Sequence, residues 1–280
     1  MVNKMSEIFY TANLMGGLGN QMFQISHALC QSWFHNKDCF FNSFAYTPMQ
    51  ANQPTKYINN IFRNIKFCEI KTQVVKVSES HWNYPNLNFN VNQNIEFNGY
   101  FQSSKNFLGF DERVKTLFEP TLGFIEKIKL IYPKIFNKNS ISIHVRRGDY
   151  LTISEVLPVL DISYFLNCLS KFNDIDNVYV FSDDKNWIKN NFSQYKLTIV
   201  DGLEDYEEMW TMSLCSNNII SNSSFSWWAS FLNKNENKKI FSPNVWFGPL
   251  GPNPYDSIFC ENFNLINVKF KNNKLVYEEF

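Results

Sequence analysis

The chain has no CxxC pair, no apolar run long enough to cross a bilayer and no surplus of either charge. Each absence removes a class of function. The six cysteines, Cys30, Cys39, Cys68, Cys168, Cys215 and Cys260, are scattered and mostly set among apolar residues, so buried free thiols are expected rather than a zinc site or a disulfide framework. Basic and acidic residues balance at 26 each, which leaves no field to attract nucleic acid or an anionic membrane. Met1 to Glu7 carry no secretory apolar segment, and no stretch reaches spanning length. The chain is therefore expected in the cytoplasm, with peripheral association at the inner face of a membrane left open. Apolar residues make up 44% of the sequence and charged residues 19%, with 28 Phe, 13 Tyr and 7 Trp, a composition that packs rather than disorders. At 280 residues, two domains of ordinary size are expected.

The most informative segment is Ser140 to Tyr150, Ser-Ile-Ser-Ile-His-Val-Arg-Arg-Gly-Asp-Tyr. Ile141, Ile143 and Val145 alternate with polar residues as a strand does, and Gly148 permits a sharp exit that presents the charged residues at the strand's end. Open α/β sheets keep their ligands there. Adjacent guanidiniums repel unless an anion or carboxylate lies between them, and their forked donors match phosphate oxygens. A diphosphate is the expected guest. His144 and Arg146 fall on one face and Arg147 on the other, so one arginine can meet a ligand while its neighbour is pinned by Asp149 or another carboxylate. A structural ion-pair network around a buried arginine is the competing reading.

Ile8 to Met15 predicts a strand that runs into Gly16-Gly17-Leu18-Gly19-Asn20-Gln21, after which Met22, Ile25, Leu29 and Trp33 recur at helical spacing. Residues 35 to 110, interrupted by Pro48, Pro54 and Pro85, give no firm assignment. Beyond them the pattern becomes regular. A helix is expected over Phe124 to Ile135, a strand over Ile141 to Val145, a helix capped by Asp161 and ending at Phe172, and a strand over Val178 to Phe181. A short helix around Trp187, a strand over Leu197 to Val200 and a helix over Asp205 to Leu214 follow. Ile219-Ile220 and Lys239 to Phe241 supply two more strands, with a helix over Phe225 to Phe231 between them. Such repetition builds a parallel sheet with right-handed crossovers.

Three further polar groups fall at strand ends or helix starts. The glycine turn lets backbone approach a ligand, and the helix after it offers N–H donors to an anion, although a plain tight turn explains it equally well. Ser182-Asp183-Asp184 could accept hydrogen bonds from ribose hydroxyls or a guanine edge, hold a metal beside a diphosphate, or cap the next helix. Ser221 to Trp228 gathers hydroxyls and amides at a strand-to-helix junction, where Ser223 and Ser224 suit phosphate and the tryptophans anchor the helix. The chain has no G-x-S-x-G elbow, which argues against a hydrolase serine.

Taken in order, Gly16 to Gln24, His144 to Tyr150, Phe181 to Asp184 and Ser221 to Ala229 closely resemble the motifs of the bacterial α-1,2-fucosyltransferases, glycosyltransferase family 11. Leu157 to Phe165 is similar to that family's segment after the arginine motif, and the likeness is weakest between residues 35 and 115. The resemblance implies an α/β, GT-B-like architecture of two Rossmann-like domains facing a cleft. An acceptor-side domain would occupy 1–115 and a GDP-fucose-binding domain 116–280, with the last helix packing back on the first domain. It further implies inverting transfer of L-fucose from GDP-β-L-fucose to the 2-hydroxyl of a terminal galactose on a glycan, in bacterial surface polysaccharide assembly. No metal and no cofactor beyond the donor substrate would be needed.

By the same resemblance Arg146 would bind the diphosphate with Arg147 in support, and His144 and Asp184 would contact the guanosine, with Asp183 adjacent. Ser223 and Ser224 would bind phosphate next to Phe225. Gly17, Asn20 and Gln21 would reach substrate from the other domain, and Asp149 and Glu155 are the candidate bases. Two other readings stand beside this one: transfer of a different GDP-sugar, and a non-catalytic carbohydrate-binding protein that stacks sugars on its aromatic residues. Stacking surfaces need no paired arginines, and the Ser-Asn-Ser-Ser-Phe-Ser-Trp-Trp segment favours the α-1,2 family.

Overall fold

The computed structural model describes residues 8–43, 53–84, 87–175 and 177–279, so Met1 to Glu7, Pro48 and Pro85 lie outside the described residues. Two compact units divide the chain. One runs to Glu119 and takes in Pro254–Cys260; the other holds Pro120–Asn253 and the chain from Glu261 onward.

The first unit contains β1 (Phe9–Ala12), α1 (Leu18–Phe34), β2 (Asp38–Cys39), β3 (Phe41–Asn42), β4 (Phe67–Cys68), β5 (Val75–Ser78), β6 (Ile95–Asn98) and α2 (Asp111–Phe118). Four of its strands form a parallel sheet in the order β2-β1-β6-β5, and β3 pairs with β4. All four residues of β1 are buried, as expected of an inner parallel strand covered on both faces. Between β1 and α1 the chain turns at Gly16, whose φ of +73° favours glycine. Two buried glutamines of α1 close this turn. Gln24 accepts from the Met15 N–H (2.9 Å) and donates to the Met15 carbonyl (3.2 Å), while Gln21 donates to the Gly16 carbonyl (3.1 Å).

The second unit contains α3 (Leu122–Ile131), β7 (Ser140–Val145), β8 (Val159–Leu160), α4 (Ile162–Ser170), β9 (Asn177–Ser182), α5 (Lys185–Asn191), β10 (Thr198–Ile199), α6 (Asp205–Leu214) and β11 (Asn217–Ile219). It continues with α7 (Ser224–Leu232), β12 (Ile240–Pro243), β13 (Phe263–Ile266), β14 (Val268–Lys271) and β15 (Lys274–Tyr277). Its main sheet is parallel throughout, in the order β10-β9-β7-β11-β12-β13, so β7 is central. One face of β7, formed by Ile141, Ile143 and Val145, packs into a core with Val178 and Val180 of β9, Phe165 and Cys168 of α4 and Ile188 of α5. The other face is polar and equally buried. Ser140 donates to the Ile135 carbonyl (2.6 Å), and Ser142 accepts from Asn218 (2.7 Å), whose amide also reaches the Met212 carbonyl (3.0 Å). Burying these groups is tolerable because each hydrogen bond is made within the fold.

Three expectations change. The helix expected over Phe124 to Ile135 ends at Ile131, because Pro133 cannot extend it and instead opens a 3-10 turn, Pro133–Phe136. The strand expected over Leu197 to Val200 is confined to Thr198–Ile199. No closing helix follows residue 260 among the described residues, where three strands stand instead. The antiparallel pair β14 and β15 turns at Asn272-Asn273, whose φ values of 49° and 61° suit a two-residue hairpin loop, and β15 then pairs with β8. Asparagine tolerates this left-handed conformation better than most residues, so the hairpin was readable from the Asn-Asn pair between apolar alternations. No helix among the described residues is long and apolar enough to cross a membrane.

Gly16→Ala should destabilise the protein by about 1 kcal/mol or more, since the new Cβ would meet the positive φ and lie 2.4 Å from Asn20 Nδ2. Denaturant unfolding of the variant beside wild type measures this; equal midpoints would show that the turn relaxes freely.

Candidate active site

Parallel pairing brings three chain exits to one edge of the second unit's sheet. β7 leads into Arg146-Arg147-Gly148-Asp149, β9 into Asp183-Asp184, and β11 into Ser221-Asn222-Ser223. The Ser221 hydroxyl ties two of them together, donating to the His144 carbonyl (2.6 Å) and accepting from the Arg146 N–H (3.3 Å). Asn222 holds the next layer through the carbonyls of Pro158 (3.0 Å) and Trp246 (2.9 Å). Its own carbonyl accepts from the Tyr150 hydroxyl (3.2 Å). Ser221 and Asn222 thus shape the edge from within.

The two arginines are engaged differently. Arg147 is only 13% exposed; its Nε meets Asp184 Oδ2 at 3.0 Å and its guanidinium lies 4.5 Å from the Trp187 ring centre. Asp184 Oδ1 accepts from the Trp187 N–H (2.9 Å), which caps α5. This helix-end hydrogen bond and the Arg147 side chain hold the Asp184 carboxyl below the usual carboxylate range. Arg146, 34% exposed, spans two carboxylates, with Nη2 to Asp149 Oδ1 at 2.6 Å and Nη1 to Asp183 Oδ2 at 2.8 Å. Asp183 Oδ1 accepts from the Arg147 N–H (2.9 Å). Gly148 is required by proximity here, since a Cβ on it would lie 2.6 Å from Asp183 Oδ2.

His144 is buried on the polar face of β7, its ring 5.4 Å from that of Phe225. Its Nδ1 has no hydrogen-bond partner among the described residues. Burial first, and the neighbouring Arg146 second, push the imidazole down to about 3, so the ring is neutral. Ser223 precedes α7 as its cap residue without spending its hydroxyl on the helix backbone, and the Tyr150 phenol lies beside it, donating to the Asn222 carbonyl. Burial pushes that phenol up to about 12.

Of the residues expected from sequence, His144, Arg146, Arg147, Asp149, Asp183 and Asp184 form one connected edge, and Ser223, Ser224 and Phe225 stand at the start of α7. Glu155 is exposed; its carbonyl accepts from the Leu250 N–H (2.9 Å), and no ion pair joins its carboxylate to the arginines among the described residues. Gly17, Asn20 and Gln21 belong to the first unit. There Asn20 Oδ1 accepts from Gln102 Nε2 (2.8 Å), and Gln21 is fully buried in support of the glycine turn.

Two contributors escaped the sequence reading. Trp187, around which the sequence places a short helix, gives Arg147 its platform. Glu208 lies in the first turn of α6. Its carboxyl is pushed up to about 7, chiefly by burial, with Asp205, Asp201 and Asp183 adding to the rise and Lys185 opposing it. Among the described residues no three His, Cys, Asp or Glu side chains converge as a metal site.

The family model for glycosyl transferase family 11 matches residues 2–264. The chain belongs to glycosyl transferase family 11. This family-11 chain is 27% identical over 276 residues to an Escherichia coli alpha-1,2-colitosyltransferase, covering 88% of this chain and 94% of that one. It is 24% identical over 254 residues to a Caenorhabditis elegans galactoside 2-alpha-L-fucosyltransferase, covering 80% and 69%. Among solved structures it is similar to the alpha-1,6-fucosyltransferase NodZ of Bradyrhizobium co-crystallized with GDP. The TM-score is 0.51 at 11% identity, over 81% of this chain and 93% of that one. The fold is thus α/β with parallel sheets, of the GT-B-like fucosyltransferase kind, and the chain is a fucosyltransferase-like glycosyltransferase.

A neutral buried histidine makes stability pH-dependent with a definite sign. His144 has a folded value near 3 and His27 one near 4, both below the ordinary 6.5, so the unfolded chain takes up protons first as pH falls. Stability is full above about pH 6.5 and declines below it, by roughly 1.4 kcal/mol per pH unit for each such histidine. His144→Gln should remove one of these two contributions between pH 6.5 and 5. Denaturant titrations at several pH values check it, and identical slopes would mean that His144 is charged in the fold.

Proposed function

We propose that the protein transfers L-fucose from GDP-β-L-fucose to the 2-hydroxyl of a terminal galactose with inversion, forming an α-1,2 linkage. The observation that carries this reading is the part-exposed Arg146 guanidinium, held at the C-terminal edge of the central strand in a family 11 chain. A diphosphate leaving group gains negative charge as the bond from fucose C1 to the β-phosphate oxygen lengthens. Fixed N–H donors directed at that charge lower the barrier because they bind the transition state more tightly than the ground state.

In this reading Arg146 grips the diphosphate and Arg147, stacked on Trp187, fixes the loop that carries it. His144 offers its unpartnered Nδ1 to the guanosine beside Asp184, and Ser223 and Ser224 bind phosphate with Phe225 next to them. In the first unit the proposed substrate-binding residues are Gly17, Asn20 and Gln21. The acceptor O2 attacks C1 from the face opposite the departing GDP. Its proton passes to a carboxylate, for which Asp149 and Glu155 are the assigned candidates, and the products are the fucoside, GDP and the proton. Positive charge from arginine makes a metal dispensable in this scheme. We place the reaction in the cytoplasm, in bacterial surface polysaccharide assembly, with peripheral membrane contact compatible with a membrane-borne acceptor.

The 27% identity to a colitosyltransferase over most of both chains favours a second donor, a GDP-activated colitose, which is fucose without its 3-hydroxyl. Competition between the two donors for galactose-terminated acceptors separates the readings. Arg146→Ala should lower kcat/KM for transfer by at least about 10²-fold, with the fold retained by circular dichroism. Wild-type turnover in that variant would remove the basis of the assignment. Chelation with EDTA should leave the rate unchanged; activity that returns only with added manganese or magnesium would show a metal in the mechanism.

A further inference from the structure

The charged edge holds more negative than positive charge. Asp149, Asp183 and Asp184 face Arg146 and Arg147, so the ion-paired cluster sums formally to about −1 with carboxylates and guanidiniums ionised. A diphosphate added to that arrangement would meet net repulsion unless one carboxylate withdraws. Asp184 is the least able to do so, since one oxygen caps α5 and the other holds the more buried arginine. Asp149 begins the 3-10 turn three residues after Arg146 and travels with it.

Asp183 is placed differently. It comes from the neighbouring strand exit, and its two oxygens are divided between a main-chain and a side-chain donor. Oδ1 can keep the Arg147 N–H while Oδ2 gives up Arg146 Nη1, so withdrawal costs one contact and not the whole anchorage. Asp183 Oδ2 rests against Gly148, where a Cβ would lie 2.6 Å from it, so no side chain on that residue pins the carboxylate in place. The pair is also open to water, with the Arg146 and Asp183 side chains 34% and 27% exposed, so an incoming anion can reach it.

We propose that Asp183 is a resident counter-ion that occupies Arg146 while the donor is absent, yields it to the diphosphate on binding and reclaims it as GDP leaves. This rests on the reading of Arg146 as the diphosphate ligand. It makes Asp183 a positioning residue acting through Arg146, in place of the substrate contact that the sequence suggested. Its effect on turnover is to shorten the residence of GDP, because a tethered carboxylate competes for the same N–H donors at high local concentration.

Asp183→Asn tests the exchange, since the amide oxygen can still accept from the Arg147 N–H while the charge is gone. Calorimetry with GDP should show tighter binding to the variant, on the order of tenfold, and stopped-flow displacement should show slower GDP dissociation. The donor KM should fall in parallel, with no gain in kcat. Weaker or unchanged GDP affinity would overturn the proposal, because removing a carboxylate that competes with the diphosphate for Arg146 must tighten binding. Asp183→Ser provides a second neutral variant should the first not fold. Failure of both to fold would assign the carboxylate a structural role and likewise overturn the exchange. Arg146→Ala run alongside keeps the two ideas apart: loss of GDP binding there upholds the diphosphate assignment whatever Asp183 does, and undiminished binding removes that assignment itself.

Discussion

Parallel pairing of β7 with β9 on one side and β11 on the other is the constraint from which the charged edge follows. Strands that run the same way end at the same edge, so three loops far apart in sequence emerge together. Once assembled there, a serine hydroxyl, two arginines and three aspartates lock one another by short hydrogen bonds. The strand must be central to do this. A central parallel strand is buried on both faces, which is why Ser140 and Ser142 pair with buried groups and His144 Nδ1 is without a partner among the described residues.

The two arginines illustrate how neighbours in sequence take unlike tasks. Alternation sends their side chains apart, and burial completes the division. Arg147, stacked on an indole and held by the helix-capping Asp184, is part of the framework. Arg146 is left at the water boundary with two carboxylates on separate nitrogens. Half-exposed pairs of this type contribute little to stability, at most about 1 kcal/mol each, so their rearrangement is inexpensive. The edge thus pairs one loosely held arginine with one rigidly held.

Much of the second unit was legible because its signals are local. Asp205 to Leu214 carries its own capping box in Glu204 and Glu207, Asp161 caps α4 as read, and Gly-Asp after the arginines marks the exit from β7. Pro133 was equally local, and the helix expected to pass through it stops short. What stayed hidden depends on partners brought from a distance. Nothing near Arg147 in sequence shows that Asp184, 37 residues on, will hold it, or that Asp183 will span Arg146 and the Arg147 amide. Glu208 carries no local signal, because its burial is created by the fold and not by its neighbours in the chain. In the first unit, β2, β3 and β4 have two residues each, below the length at which alternation can be read.

The Ser221 strut also bears on how the chain reaches its native state. Its partners lie 75 and 77 residues upstream, so the loop carrying Arg146 gains this support only after a long-range closure. Such pairings carry high contact order and form slowly. An intermediate that has joined β7 to β9 alone would own the arginines without the frame that aims them. A ligand selective for the finished edge would therefore draw the folding equilibrium toward it by mass action.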